Sequence, residues 1–118
     1  MSDNELQRLV DRLREFAQRR DWEQFHSPKN LSMALAVEAS ELLEHFQWMS
    51  EEQSQKLSPQ QHRLVSLEMA DVFIFLLRLV DRLDVDLLEV TKEKMLINET
   101  RYPADRVKGS AKKYTEYE

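Results

Sequence analysis

Cysteine is absent from the chain, so no disulfide framework, thiolate metal site or cysteine nucleophile is available to it. That absence fits a reducing compartment, and the cytoplasm is the expected location. Glycine occurs once and proline three times, while Leu, Glu, Gln, Lys, Arg and Met abound, so propensity favours helix nearly throughout. No strand-like alternation is visible. No apolar run reaches the roughly 20 residues that span a bilayer, and the opening MSDNELQRLVDRLREF has no apolar signal region. Membrane insertion and secretion are not expected. Positive charge is also short: 17 Lys and Arg against 22 Asp and Glu leave a net charge of -5, which argues against broad binding to a nucleic-acid backbone. A polyphosphate ligand would need positive charge from another source.

A chain of 118 residues has room for one compact domain, and an all-helical domain of that size buries only a thin core unless it oligomerises. The expected domain is residues 1–118, with about 104–118 a polar C-terminal tail. Leu6, Leu9, Val10, Leu13 and Phe16 recur at helical spacing and predict a first helix from Asn4 to Arg19. In RDWEQFHSPKN, Pro28 disfavours helix at Ser27 and Asn30 is suited to cap a second helix over Leu31 to Met49. The polar SEEQSQKLSP has room for a short helical turn. Ser58 followed by Pro59 marks the start of a third helix reaching Leu83. Its centre, VFIFLLRLV from Val72 to Val80, is apolar on nearly every face except at Arg78, so this helix must be central or shared with another subunit. A fourth helix is expected from Asp86 to Arg101, ending before Pro103.

Acids stand where such a helix should be apolar. Glu38 and Glu41 lie three residues apart in AVEASELLEHF, and Glu68 and Asp71 repeat the spacing in SLEMADVF, so each pair shares a helix face. One Glu-x-x-Glu in a charged helical protein is usually a solvated surface. Two such pairs, one of them among Leu64, Leu67, Val72 and Phe75, are costly unless neutralised, paired or bound to metal. Carboxylates without Cys or a well-placed His suit Mg²⁺ or Mn²⁺. A di-iron bundle would want two Glu-x-x-His elements on long helices, and the single one here, Glu23 to His26, falls in a turn.

Glu-x-x-Glu on one helix and Glu-x-x-Asp on the next resembles the metal-binding signature of the all-α NTP pyrophosphatases, the MazG-like superfamily. RDWEQFHSPKNL, EASELLEHFQW, LEMADVFIFLL, KMLINETRYP and SAKKYTEYE further resemble the dCTP pyrophosphatase branch, in order and over nearly the whole chain from Arg20. The resemblance implies a four-helix bundle assembled through a homo-oligomeric interface, as dimer or tetramer. It implies Mg²⁺-dependent conversion of dCTP or a related, possibly modified, dNTP to the monophosphate and pyrophosphate, with Glu38, Glu41, Glu68 and Asp71 as metal ligands and catalytic residues. Trp22, His26 and Trp48 would border the base. Lys94, Asn98 and Tyr102, spaced by four, would reach sugar and phosphate, and Lys112 and Lys113 would contact phosphate from the tail. Two positions depart from the pattern. Val37 stands where many superfamily members carry another Glu, and Phe75 where dCTP-type members often carry Tyr, which bears on selectivity more than on chemistry. The competing functional class is a catalytically silent helical module that binds nucleotides or proteins.

Overall fold

A computed structural model describes residues 3–111, with side chains from Glu5 onward, and their regular structure is helical, with no strand among them. Helix α1 (Asp3–Arg19) ends in a Schellman motif. Asp21 takes the left-handed conformation (φ 54°), its N–H donates to the Gln18 carbonyl at 3.1 Å, and the Trp22 N–H donates to that of Ala17 at 2.9 Å. A 3-10 turn over Glu23–Phe25 then leads into α2 (Pro28–Glu44). Its cap is Ser27, whose Oγ accepts from the Asn30 N–H, with Pro28 in the first turn. This corrects the assignment of the cap to Asn30: proline is excluded from helix interiors but suits the first position, where its missing N–H costs nothing. Asn30 instead donates from Nδ2 to the Phe25 carbonyl at 3.0 Å, tying the turn to the helix. At its other end α2 stops at Glu44, short of Met49, and continues as turns.

Short α3 (Glu51–Ser54) and long α4 (Pro59–Leu83) each begin with a complete capping box, Ser50 with Gln53 and Ser58 with Gln61. Both follow the sequence expectation. Helix α4 ends at Asp84, again left-handed (φ 53°). It packs mainly on α2 and less extensively on α1. Val10, Ala17, Leu31, Val65 and Leu77 are the buried apolar residues of the described chain. Leu77→Ala should therefore destabilise the protein by about 2–5 kcal/mol, read from urea unfolding, since Leu77 is fully buried and its truncation leaves a cavity.

These elements form one compact unit, Met1–Asp84, and the rest of the chain a second, Val85–Glu118. The second holds α5 (Leu87–Arg101), capped by Asp86, and a short helix α6 (Ala104–Val107) that the polar tail had not led us to expect. No helix among the described residues is long and apolar enough to cross a membrane.

Candidate active site

The packing of α2 on α4 brings three of the four predicted acids together: carboxylate oxygens of Glu38, Glu41 and Glu68 all lie within 4.8 Å of one another. Glu38 and Glu68 are half-buried and Glu41 is exposed. Asp71, one turn beyond Glu68, is exposed and outside this close group, but its charge acts on Glu68. Among the described residues no donor reaches Glu38 Oε2 or Glu68 Oε2, although both oxygens are buried. Such atoms ordinarily cost free energy, and four acids with no Lys or Arg paired to them among the described residues call for a cation.

Titration reflects the same crowding. Glu38 is pushed from its usual 4.5 up to about 8, first by its contact with the Glu68 carboxyl, which favours a shared proton, then by burial and by Glu41. Contact with Glu38 pulls Glu68 down, yet burial and the charges of Glu41 and Asp71 outweigh it, and the net direction is up. The donor set is all hard oxygen, two of its atoms are buried and unsatisfied, and no thiolate or imidazole intrudes, so the residues fit a hard divalent cation.

A stability prediction follows from the sign of the Glu38 shift. Folded Glu38 keeps its proton up to about pH 8, whereas the unfolded residue loses it near 4.5, so the stabilisation is complete below 4.5 and declines as pH rises to about 8. Urea midpoints of metal-free protein should fall across that window, and millimolar Mg²⁺ should flatten the fall by taking the proton's place. Midpoints indifferent to both pH and Mg²⁺ would contradict the coupling.

The Schellman turn that ends α1 also positions two of the predicted base-binding residues. It folds Trp22 back onto Phe16, ring edge to face at 5.8 Å, leaving the indole 44% exposed. The His26 ring lies 6.4 Å from the indole, tilted by 58°. Trp22 and His26 thus form one wall. Trp48 does not join it within the described residues: it follows α2 in a turn, is 89% exposed, and makes no ring contact with either. In the second unit, Lys94 and Asn98 are exposed on α5, and Tyr102 is its half-buried C-cap, its N–H donating to the Asn98 carbonyl at 2.8 Å. Lys112 and Lys113 lie outside the described residues.

Residues 33–117 match the MazG-like family, a span that contains all four acids. The chain belongs to the MazG-like family. Among its MazG-like relatives are proteins named dCTP pyrophosphatase 1 from Homo sapiens, 46% identical, and Mus musculus, 45% identical, each over 104 residues. Those alignments cover 86% of this chain and 61% of each relative, so the chain spans less than two thirds of their length. The crystal structure of a pyrophosphatase from Archaeoglobus fulgidus superimposes with a TM-score of 0.81 at 38% identity, covering 87% of this chain and 96% of that one. The all-α MazG-like fold is thereby shown.

Within this MazG-like chain the two departures are now placed. Val37 is exposed on α2 beside the acids, and Phe75 is half-buried on α4 one turn beyond Asp71. Sequence reasoning missed one polar network. Arg78, 2% exposed, pairs with Asp81 at 2.8 Å, and Asp81 also receives the Arg14 Nε–H at 3.0 Å. The Arg14 pairing first, then the charges of both guanidinium groups, hold Asp81 below the usual range despite its burial. The signal was present as the lone charge in VFIFLLRLV with an acid three residues on.

Proposed function

We propose that this MazG-like domain, taken as residues 1–118, is a Mg²⁺-dependent nucleoside triphosphate pyrophosphohydrolase that converts dCTP or a related dNTP to the monophosphate and pyrophosphate. The observation that carries the reading is the convergence of Glu38, Glu41 and Glu68 with two buried oxygens left unsatisfied. The relatives, proteins named dCTP pyrophosphatase 1 and a pyrophosphatase, point the same way.

Glu38, Glu41, Glu68 and Asp71 would hold the metal, which supplies charge neutralisation and Lewis acidity toward a triphosphate that four carboxylates would otherwise repel. Glu41 or Glu38 orients the attacking water and accepts its proton. Trp22 stacks on the base, His26 bonds to its edge, and Trp48 is assigned to the same pocket. Lys94, Asn98 and Tyr102 contact sugar and phosphate, and Lys112 and Lys113 contact phosphate. Manganese is the expected substitute metal.

The active form is assigned as a homo-oligomer, dimer or tetramer. Met33 and Val37 on α2 and Leu67, Met69 and Ile74 on α4 are all exposed, more apolar surface than a helical unit with so thin a core leaves open to water. We place the reaction in the cytoplasm, where its substrates are made, and assign neither nucleic acid nor membrane as partner. The test is a panel of NTPs, dNTPs and base-modified dNTPs, with and without Mg²⁺, scored for pyrophosphate and monophosphate. Release of both from dCTP is expected; saturable binding without release on every member would reduce the domain to a binding module.

A further inference from the structure

We propose that Arg78 is a positioning residue of the nucleotide site: through its buried Nε–H it holds His26 as the neutral Nε2–H tautomer, so that the Trp22–His26 wall presents one fixed donor to an acceptor atom of the base. The proposal rests on the reading of that wall as the base pocket.

Arg78 is the one charged residue buried in the described chain, set in the apolar centre of α4. Burying a guanidinium is unfavourable, and an aliphatic side chain would fill the same space without that cost. The position therefore has another use. Arg78 Nη1 donates to Asp81 Oδ2 at 2.8 Å, Nη2 stands 3.5 Å from Glu23 Oε1, and Nε donates to His26 Nδ1 at 3.3 Å. Asp81 is itself clamped by Arg14, so the guanidinium plane cannot swing.

A guanidinium nitrogen only donates, so the ring atom that faces it must carry a lone pair. That makes Nδ1 the acceptor of His26 and leaves its proton on Nε2, to which no described protein group is bonded. The charges facing the ring act in the same sense. Burial first, then the positive charges of Arg78 and Arg82, lower the imidazole pKa against the opposing pull of Glu23, so the ring stays neutral at physiological pH. A neutral ring in one tautomer is a directional reader. A mixed or protonated one would also accept donors or attract anions indiscriminately.

The experiment is nitrogen NMR of histidine-labelled protein, with and without dCTP, on wild type, Arg78→Met and Arg78→Lys. Methionine refills the space, and Asp81 keeps Arg14, so folding is preserved and checked by thermal unfolding. In wild type His26 should be the Nε2–H tautomer at neutral pH, with Nε2 shifted by dCTP. Arg78→Met should mix the tautomers and raise KM for dCTP roughly 3- to 10-fold, the worth of one hydrogen bond. Its kcat and its inhibition by inorganic tripolyphosphate, which has no base, should stay within about twofold. Arg78→Lys, which keeps a donor, should recover the tautomer. An Nδ1–H tautomer in wild type, an unchanged tautomer in Arg78→Met, or an equal loss of tripolyphosphate affinity overturns the proposal. Absence of turnover on any nucleotide would defeat the enzymatic reading alone; the dCTP-induced shift at His26 then still decides, its presence supporting the proposal and its absence overturning it.

Discussion

On the proposed function, Glu41→Gln should lower dCTP turnover by roughly 10²- to 10³-fold, the loss typical when one preorganised electrostatic group is removed from a site. The helical circular dichroism spectrum stays unchanged, because Glu41 is exposed on α2 and takes no part in the core. Asp71→Asn behaves alike, although Asp71 stands outside the closest group of oxygens. A carboxamide preserves shape but removes the charge that would hold a divalent cation, so affinity for Mg²⁺ should fall together with rate. Neutralising the cluster should also raise the stability of the metal-free protein, since each charge removed relieves the repulsion that pushes Glu38 and Glu68 up. A variant that loses activity while gaining stability is the signature of a site built for a ligand. Steady-state kinetics and urea midpoints on the same preparations check both halves. Full turnover in both variants would remove the acids from the chemistry.

Trp22→Ala addresses the other half of the proposed site. Stacking on a base is worth about 1–3 kcal/mol, equivalent to roughly 5- to 150-fold in affinity, so KM for dCTP should rise within that range. Inhibition by inorganic tripolyphosphate should be unaffected. The indole sits at the end of a Schellman motif and touches Phe16, so its removal costs some local packing, but 44% of it already faces solvent. Parallel losses for dCTP and tripolyphosphate would assign Trp22 to packing instead of recognition.

Much of this was legible because it depends on neighbours in the chain. Ser58 and Pro59 mark the start of α4 through a cap and a first-turn proline, chemistry confined to four residues. The pairing of Glu38 with Glu41 follows from helical pitch alone. The meeting of that pair with Glu68 depends on how α2 lies on α4, which no spacing specifies; the cost of burying unpaired carboxylates argues for it, and the family resemblance agrees. Two boundaries escaped for local reasons. Pro28 keeps Ser27 out of the helix as expected, but Ser27 and not Asn30 is the cap, so α2 starts at Pro28 and not at Leu31, and it ends after Glu44 with no glycine or proline to announce it.

The Arg78 network escaped for a different reason. His26 lies 52 residues from Arg78, and Arg14 lies 67 residues from Asp81. A lone arginine in an apolar run signals only that some partner exists. Naming it requires the fold. The wall of Trp22 and His26 was likewise suggested by resemblance, and its geometry comes from the left-handed Asp21, a conformation the sequence does not advertise in the absence of glycine.

The central claim joins the carboxylate cluster to one reaction, and phosphorus NMR on a single sample of the 118-residue chain tests it most directly. Metal-stripped protein is mixed with dCTP, spectra are recorded, and Mg²⁺ is then added. The triphosphate resonances should stand still until the addition and then give way to dCMP and pyrophosphate in equal amounts. Resonances that never change, or that yield a diphosphate and inorganic phosphate, would contradict the account.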